Sequence, residues 1–344
     1  MAPLVETRDL TKRYGQVTAL NRLNLQIPAG AIYGFIGPNG AGKTTTMRIL
    51  TALLKPTSGQ AFVDGHEVSR EPRAIRRLVG WMPDSFGVYD NMKVWEYLDF
   101  FAAAFGVPAA RRRQQIAELL DLVDLSHKRD AYVMGLSRGM KQRLSLARTL
   151  VHDPKLLILD EPASGLDPRA RIELRELLKE LRALGKTIMI SSHILTELAE
   201  MCTHIGIIEA GRLLVSGEVG QILRALQPHH TIEMQVLGEA QRAAELLRAL
   251  PGVREVRQGE VQPVAATPLQ AGGPAPLDGV PAAGEPLAAL AQRETLLVDY
   301  VGDEVGLTQL LRRVIEADVP VIHFATRIGD LEDVFLHVTR GVTQ

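Results

Sequence analysis

The sequence predicts an α/β fold for about the first 220 residues, followed by a smaller α+β unit. In the first part, short apolar runs that are typical of buried strands alternate with amphipathic segments. The clearest of these runs are AIYGFIG (31–37), LLILD (156–160) and TIMIS (187–191). After residue 227 a strand–helix–strand pattern occurs twice, which favours a small ferredoxin-like domain.

Helical patterns fill the middle of the first domain. VWEYLDFFAAAF (94–105) and RRRQQIAELLDLV (111–123) carry apolar residues at helical spacing, and they predict a helical subdomain at about 85–150. Near the end of the domain, IGIIEAGRLLVSG (205–217) favours a β-hairpin with its turn near Ala210.

We expect the first domain to span residues 1–226 and an accessory domain to span residues 227–344. Inside the accessory domain, residues 261–290 are rich in proline, alanine and glycine and poor in charge. Such a segment cannot bury enough apolar surface to fold on its own, so it is expected to be a flexible insertion. DLEDVFLHVT (330–339) is expected to form a terminal helix.

Composition limits the possible classes of protein. The formal net charge of −1 argues against a protein that coats nucleic acid, which would carry a basic excess. The single cysteine, Cys202, excludes an internal disulfide and is expected to be a small buried residue. No run of about 18 apolar residues occurs, and the N-terminal segment lacks the apolar core of a secretory signal. Any membrane role is therefore expected to depend on a partner.

A phosphate-binding motif follows the first predicted buried strand. GPNGAGKTTTMRIL (37–50) fits G-x-x-x-x-G-K-[ST], a loop whose backbone N–H groups surround phosphate oxygens at the start of a helix. Lys43 is expected to reach the β- and γ-phosphates, and the Thr44 hydroxyl is expected to bind Mg²⁺. The residues predicted to contact the nucleotide here are Gly37, Pro38, Asn39, Gly40, Ala41, Gly42, Lys43, Thr44 and Thr45.

Two acids end the second apolar run, in LLILDEP (156–162). Ligands of open α/β sheets bind at the carboxyl ends of the strands, so these acids should lie beside the phosphates. Asp160 is expected to hold Mg²⁺ through water, and Glu161 is expected to polarise the water that attacks the γ-phosphate. Acid pairs at strand ends are common, and the upstream phosphate loop is what makes this pair informative.

Further motifs occur in a fixed order. LSRGM (136–140) lies a short distance upstream of the acid pair, SGLD (164–167) follows it, and His193 lies in ISSHIL. Tyr14 lies in LTKRYG near the N-terminus. With these motifs, the region from about residue 4 to residue 220 resembles the nucleotide-binding domain of ATP-binding cassette (ABC) transporters.

The resemblance implies a P-loop NTPase fold of the ABC ATPase type, which binds and hydrolyses ATP with Mg²⁺. It also implies that two copies enclose two ATP molecules, with Ser137 and Gly139 of one copy facing the γ-phosphate held by the other. Asp167 then belongs to the D-loop, His193 donates to the γ-phosphate, and Tyr14 stacks on adenine. Taken singly, such a tyrosine is more often a packing residue and such a histidine a surface residue.

Three positions depart from the family pattern. Arg138 stands where the family has its first signature glycine, and Met140 stands where it has the signature glutamine. Asp84, in GWMPDSFGVYD (80–90), stands in the place of the Q-loop glutamine. A carboxylate can bind Mg²⁺, so we interpret Asp84 as a metal-linked sensor, with a simple turn acid as the alternative.

The residues after Asp84 are candidates for a partner surface. Phe86, Val88 and Tyr89 are apolar or aromatic residues beside the expected groove, which suits the docking of a partner helix. Packing inside the helical subdomain is the alternative for all three.

The resulting hypothesis is the ATPase subunit of an ABC transporter, of the ABC-2 exporter kind. Its expected partners are a separate membrane-spanning permease and a second, identical ATPase chain, and its expected place is the cytoplasmic face of the membrane. No nucleic-acid partner is expected. The alternative is a soluble ABC ATPase that acts on nucleic acid or ribosomes. The single phosphate loop and the lack of a cysteine cluster in the sequence argue against this alternative. The accessory domain is expected to dimerise or regulate, with ligand binding or simple bracing of the ATPase as alternatives.

Overall fold

The computed structural model of the chain describes residues 3–84, 87, 89, 91–192, 198, 201–226, 230–262 and 293–327. The described residues form two compact units, one reaching to Ile222 and one starting at Leu223. None of the helices in these ranges has the length and apolar character needed to cross a bilayer.

The first unit is an α/β domain, as predicted from the sequence. Its strands are β1 Pro3–Tyr14, β2 Val17–Leu23, β3 Gln26–Pro28, β4 Ile32–Ile36, β5 Ser58–Val63, β6 His66–Glu67, β7 Val79–Met82, β8 Leu156–Asp160, β9 Thr187–Ser192, β10 His204–Glu209 and β11 Arg212–Glu218. Its helices are α1 Lys43–Leu50, α2 Pro72–Leu78, α3 Val94–Ala104, α4 Ala109–Leu122, α5 Arg138–Leu150 and α6 Pro168–Ala183, and α7 Val219–Leu226 follows β11.

A six-stranded sheet with the order β11-β10-β4-β9-β8-β7 forms the centre of the first unit. The five strands from β10 to β7 pair in parallel, and β11 pairs antiparallel to β10. Every residue of β4, β8 and β9 is buried, as predicted for strands covered on both faces. Because β9 lies between β4 and β8, the carboxyl ends of these three strands meet at one edge of the sheet.

The β10–β11 hairpin confirms its sequence prediction. The two strands are joined by Ala210 and Gly211, whose φ angles are 47° and 74°. Positive φ at both central residues is the backbone of the two-residue turns that match the twist of hairpin strands.

A second sheet in this unit was not predicted. It has the order β2-β1-β5-β6, with β3 also paired to β1, and its pairings are antiparallel. Its apolar face packs into the same core as α1, in a cluster that includes Val5, Ile27, Met47 and Val63.

The region between β7 and β8 is helical. It consists of α3, α4 and α5, and two short 3₁₀ helices, Ser126–Lys128 and Val133–Gly135, lie between α4 and α5. Helix α4 begins at Ala109, two residues earlier than predicted, directly after Pro108. Proline disfavours helical backbone at the residue before it, so the helix does not extend further toward the N-terminus.

The second unit is a ferredoxin-like βαββαβ domain, as predicted. It consists of β12 His230–Leu237, α8 Ala240–Arg248, β13 Val253–Gln262, β14 Arg293–Tyr300, α9 Glu304–Glu316 and β15 Val321–Arg327. The sheet order is β13-β14-β12-β15, and all pairings are antiparallel. Alternate residues of β12, namely Ile232, Met234 and Val236, are buried in its core.

Two further predictions for the accessory domain concern an insertion at 261–290 and a terminal helix at 330–339, and the structure describes only the first two of these residues. Strand β13 extends through Gln262, so the first two residues of the expected insertion at 261–290 are paired with β14. The rest of that insertion and the expected terminal helix at 330–339 lie outside the described residues.

Candidate functional site

The phosphate loop, residues 37–45, lies between the end of β4 and the first turn of α1. Gly40 and Gly42 have φ angles of 82° and 109°, which side-chain-bearing residues rarely adopt. At Gly37 an added Cβ would lie 2.2 Å from the Ile208 carbonyl oxygen. The loop therefore depends on glycine both for its turns and for its close approach to β10.

Lys43 crosses this loop. Its side chain is only 7% exposed, and its Nζ donates hydrogen bonds to the carbonyl oxygens of Gly37 at 2.6 Å and Pro38 at 3.3 Å. Burial lowers the pKa of Lys43, and the charges of Glu161 and Asp160 oppose that shift. An ammonium held this way is oriented toward the loop and is easier to deprotonate than an ordinary lysine.

Asp160, at the end of β8, connects the phosphate loop to β9. Its Oδ2 accepts a 2.9 Å hydrogen bond from Thr44 Oγ1, and its Oδ1 accepts a 2.5 Å bond from Ser191 Oγ. Ser191 Oγ in turn accepts a 3.0 Å bond from the backbone N–H of Glu161. Ser191 was not predicted from the sequence, because its role follows from the position of β9 between β4 and β8.

A cavity of about 240 Å³ lies above these residues. It is lined by Pro38, Asn39, Gly40, Ala41, Gly42, Lys43, Thr44, Thr45, Asp84, Asp160 and Glu161. The structure thus brings the phosphate loop and the three acids singled out in the sequence to one place, Asp84 included.

The hydroxyl and carboxylate ligands in this cavity suit a magnesium ion that is shared with the nucleotide phosphates. They do not form a site in which protein side chains alone would hold a metal. Among the described residues, no cluster of three or more histidine, cysteine or acidic side chains could hold a metal. Mg²⁺ is commonly bound through one or two carboxylates together with substrate phosphates and water. The Thr44 hydroxyl and the Asp160 carboxylate, already in contact, have the chemistry of such a partial site.

The residues of the signature segment lie elsewhere. Ser137 caps the N-terminus of α5, where its Oγ accepts a 3.3 Å hydrogen bond from the Met140 N–H, and Gly139 lies in the first turn. Asp167 caps α6 in the same way, accepting a 2.8 Å bond from the Ala170 N–H. None of these residues lines the 240 Å³ cavity.

Tyr14 and Tyr89, two aromatic residues singled out in the sequence, are both about half exposed. Tyr14, at the end of β1, is 48% exposed and does not line the cavity; the Lys12 ammonium lies 5.1 Å from its ring centroid. Tyr89 is 54% exposed and its ring packs edge-on against Phe100, with centroids 5.6 Å apart. The predicted residues Phe86, Val88 and His193 lie outside the described residues.

Comparison with known proteins gives the family. The ABC transporter family model matches residues 20–164. The bacitracin transport ATP-binding protein BcrA of Bacillus licheniformis is 44% identical over 215 residues, which cover 62% of this chain and 69% of that protein. The chain belongs to the ABC transporter ATP-binding proteins.

Two further likenesses extend this assignment. The Nod factor export ATP-binding protein I of Ralstonia nicotianae is 34% identical over 343 residues. The match covers 98% of the present chain and 94% of the Ralstonia protein. A solved ATP-binding subunit of an ABC transporter is 30% identical, with a TM-score of 0.59, and covers 64% of this chain and 92% of that one.

These findings confirm the predicted fold class and the predicted activity. The first unit is a P-loop NTPase domain of the ABC ATPase type with a helical subdomain. The protein is the ATP-binding and ATP-hydrolysing subunit of an ABC transporter. The relatives are transport proteins, and nothing in them favours the nucleic-acid alternative.

Proposed function

We propose that this protein is the ATPase of an ABC exporter, in which two identical copies bind two ATP molecules between them and drive a separate membrane permease. The observation that carries the proposal is the 240 Å³ cavity, where Lys43, Thr44, Asp160 and Glu161 converge at the carboxyl ends of neighbouring strands. This arrangement has both parts that hydrolysis of a terminal phosphate needs, a cradle for the phosphates and a base for water.

Each group has a defined role in this proposal. The amides of residues 37–45 and the Lys43 ammonium bind the β- and γ-phosphates. Thr44, Asp160 and Asp84 would hold Mg²⁺, which when bound neutralises phosphate charge. Glu161 accepts a proton from the attacking water and is the general base.

The backbone of Glu161 suits a residue with a positioned side chain. Its φ of 51° lies in the left-handed region, and its N–H is held by Ser191 Oγ. Strained backbone of this kind persists where surrounding contacts over-determine it, and it fixes the direction of the side chain. The carboxylate of Glu161 is thereby presented to the cavity that it lines.

The signature residues support a dimer. Ser137 and Gly139 form the N-terminal end of a 13-residue helix, an end that attracts anions, and they lie outside the cavity of their own chain. The Ser137 hydroxyl accepts from the Met140 N–H and so keeps its own proton to donate. We propose that it donates to the γ-phosphate held by the second copy, with Asp167 at the same interface.

Tyr14 and His193 complete the nucleotide contacts in this proposal. The half-exposed ring of Tyr14 offers a flat face on which adenine can stack. His193 donates a hydrogen bond to the γ-phosphate, as the family resemblance implies.

The proposed docking region for the permease is a mainly apolar groove of about 230 Å³. It is lined by Thr51, Leu53, Arg76, Val79, Trp81, Phe101, Phe105, Arg148, Thr149 and His152. Strand β7 supplies part of this groove and ends beside Asp84, which lines the nucleotide cavity. A helix of the permease in the groove would therefore be coupled to the nucleotide site through β7.

The permease partner would determine where the ATPase is located, and the relatives indicate the direction of transport. Docking on a permease would hold the ATPase at the cytoplasmic face of the membrane. One relative is named for Nod factor export and another for bacitracin transport, which supports export as the direction. We propose that the accessory domain, residues 227–344, regulates the ATPase or contributes to the dimer that forms with ATP.

Mg²⁺-dependent ATP turnover by the Glu161→Gln variant of the full chain tests the proposal. Loss of the base should lower kcat by about 100-fold or more while ATP still binds. Glu176→Gln, which changes an exposed acid on α6, is the matched control and should keep wild-type turnover. Turnover near the wild-type rate in Glu161→Gln would show that this carboxylate is not the base.

A further inference from the structure

Two side chains of α5 hold the segment that follows Glu161. Arg138 Nη2 donates a 3.2 Å hydrogen bond to the Ser164 carbonyl oxygen, and Gln142 Nε2 donates a 2.5 Å bond to the Pro162 carbonyl oxygen. The two donors are four residues apart, so they lie on the same face of the helix. Gln142 is buried and Arg138 is exposed, so the bond to Pro162 lies in the interior and the bond to Ser164 lies at the surface.

The Arg138 guanidinium fits closely against Gly165. A Cβ added to Gly165 would lie 2.4 Å from Arg138 Cζ and 2.5 Å from Nη2. Gly165 also has a φ of 69°. A side chain here would therefore displace the guanidinium as well as strain the backbone.

The segment between Glu161 and Asp167 is short and internally bonded. The Ser164 N–H donates to the Glu161 carbonyl oxygen at 3.1 Å, and the Leu166 N–H donates to that of Ala163 at 3.2 Å. A force on the Ser164 carbonyl therefore reaches the backbone of Glu161 through one hydrogen-bonded turn. Arg138 is the side chain that links this turn to the first residues of α5.

We propose that Arg138 is a positioning residue for ATP hydrolysis, because it joins the signature end of α5 to the turn that sets the position of Glu161. This inference rests on the proposed function, in which Ser137 and Gly139, on either side of Arg138, contact the nucleotide of the second copy. Binding at that interface would then be transmitted within the same chain, through Ser164, to the general base. A glycine at position 138 would have no side chain to make this link.

The test compares steady-state ATP turnover of full-length Arg138→Ala and Arg138→Lys with the wild-type chain. Arg138→Ala should lower kcat by about tenfold, the size expected for a charged hydrogen bond, with KM for ATP and Tm unchanged. Arg138→Lys can still donate to the Ser164 oxygen and should recover at least half of the lost rate. Arg113→Ala, an exposed arginine of α4, is the matched control.

A double-mutant cycle with Gly165→Ala separates the contact from general effects. Gly165→Ala should lower kcat strongly in the wild-type background and less in the Arg138→Ala background, where no guanidinium remains to be displaced. Additive effects of the two changes would contradict a direct link, as would an unchanged kcat in Arg138→Ala. A rise in KM alone would overturn the proposal in favour of direct nucleotide binding by Arg138.

Failure of this inference can be told apart from failure of the proposed function. Glu161→Gln reports on the general base whatever happens at position 138. If Glu161→Gln is inactive and Arg138→Ala retains full kcat, the site assignment stands and the positioning role of Arg138 is wrong.

Discussion

Ser191 Oγ donates a 2.5 Å hydrogen bond to Asp160 Oδ1, across two neighbouring parallel strands. The same oxygen accepts the backbone N–H of Glu161 at 3.0 Å. One buried hydroxyl thus orients both the acid that faces Thr44 and the acid proposed as the general base.

Replacing this hydroxyl should cost stability and turnover together. In Ser191→Ala, one oxygen of the buried Asp160 carboxylate and the Glu161 N–H lose their partner, so we expect the free energy of unfolding to fall by about 2 kcal/mol. Turnover should fall as well, since Glu161 loses its anchor. Chemical denaturation and ATPase assays measure the two effects.

Ser145→Ala is the control for this prediction. The Ser145 hydroxyl is also buried, and within the described residues it has no hydrogen-bond partner. Removing it should leave stability nearly unchanged. A loss as large as that of Ser191→Ala would show that burial of the hydroxyl, rather than its hydrogen bonds, is what matters.

The lowered pKa of Lys43 predicts weaker ATP binding in alkaline solution. Burial disfavours the charged ammonium, so the proton is lost at a lower pH than from an ordinary lysine. Phosphate binding needs the charged form. The affinity should therefore fall as pH rises through that pKa, by up to about tenfold per pH unit above it.

Calorimetric titration of ATP from about pH 7 to about pH 10 measures this dependence. Lys43→Arg is the matched control, because arginine stays charged throughout that range. Its affinity should be lower overall but should not decline with pH. A parallel decline in both proteins would assign the titration to a group other than Lys43.

Asp84 should affect the magnesium requirement of turnover. It lines the cavity with Asp160 and Glu161, and loss of a metal-linked carboxylate should raise the Mg²⁺ concentration for half-maximal activity by about tenfold in Asp84→Ala. Asp121→Ala, an exposed acid on α4, should leave it unchanged. If Asp84→Ala matches the wild type across a Mg²⁺ titration, Asp84 is a turn acid.

His152 makes the stability of the first unit sensitive to acid. Its ring stacks on Phe105, with centroids 3.9 Å apart, and its Nε2 lies 3.2 Å from the Val79 carbonyl oxygen. Burial lowers the pKa of His152 below 6.5, so the unfolded chain binds the proton more readily. The contribution of neutral His152 to stability is therefore fully present above about pH 6.5. It decreases as pH falls below that value, by less than about 1.4 kcal/mol per pH unit.

Thermal unfolding at about pH 7.5 and about pH 5.5 tests this dependence. His152→Phe keeps an aromatic ring against Phe105 without a titrating group, and its Tm should fall less on acidification than that of the wild type. His127→Asn, at an exposed histidine, should behave like the wild type. Equal losses of Tm in His152→Phe and wild type would assign the acid sensitivity to other groups.

Local sequence predicted the phosphate loop and its flanking strand because the determinants are contiguous. Residues 37–45 contain the glycines that the turns require, and β4 is apolar throughout because both of its faces are covered. The same holds for the hairpin at Ala210, where the turn is specified by two adjacent residues.

Contacts between distant segments could not be predicted in this way. The role of Ser191 depends on the insertion of β9 between β4 and β8, an order that the chain sequence does not state. The contact between Arg138 and Ser164 likewise depends on how α5 packs. The sequence showed Arg138 only as a departure from the family pattern.

The antiparallel sheet was missed for a different reason. Strand β1 has register shifts near Leu10 and Lys12, and Asp9 has a φ of 47°. Such irregularities interrupt the alternation of buried and exposed residues by which half-buried strands are recognised. The pattern of β1 therefore resembled neither a regular strand nor a helix.

The central claim is that one ATP is held by Lys43 of one copy and Ser137 of the other. It is tested by the mass of full-length Glu161→Gln in solution with Mg²⁺ and ATP, measured by light scattering. We predict a rise from 37.7 kDa to twice that value, which is abolished by adding either Lys43→Ala or Ser137→Glu. A mass that stays at 37.7 kDa, or a dimer that forms equally well with Ser137→Glu, would contradict the account.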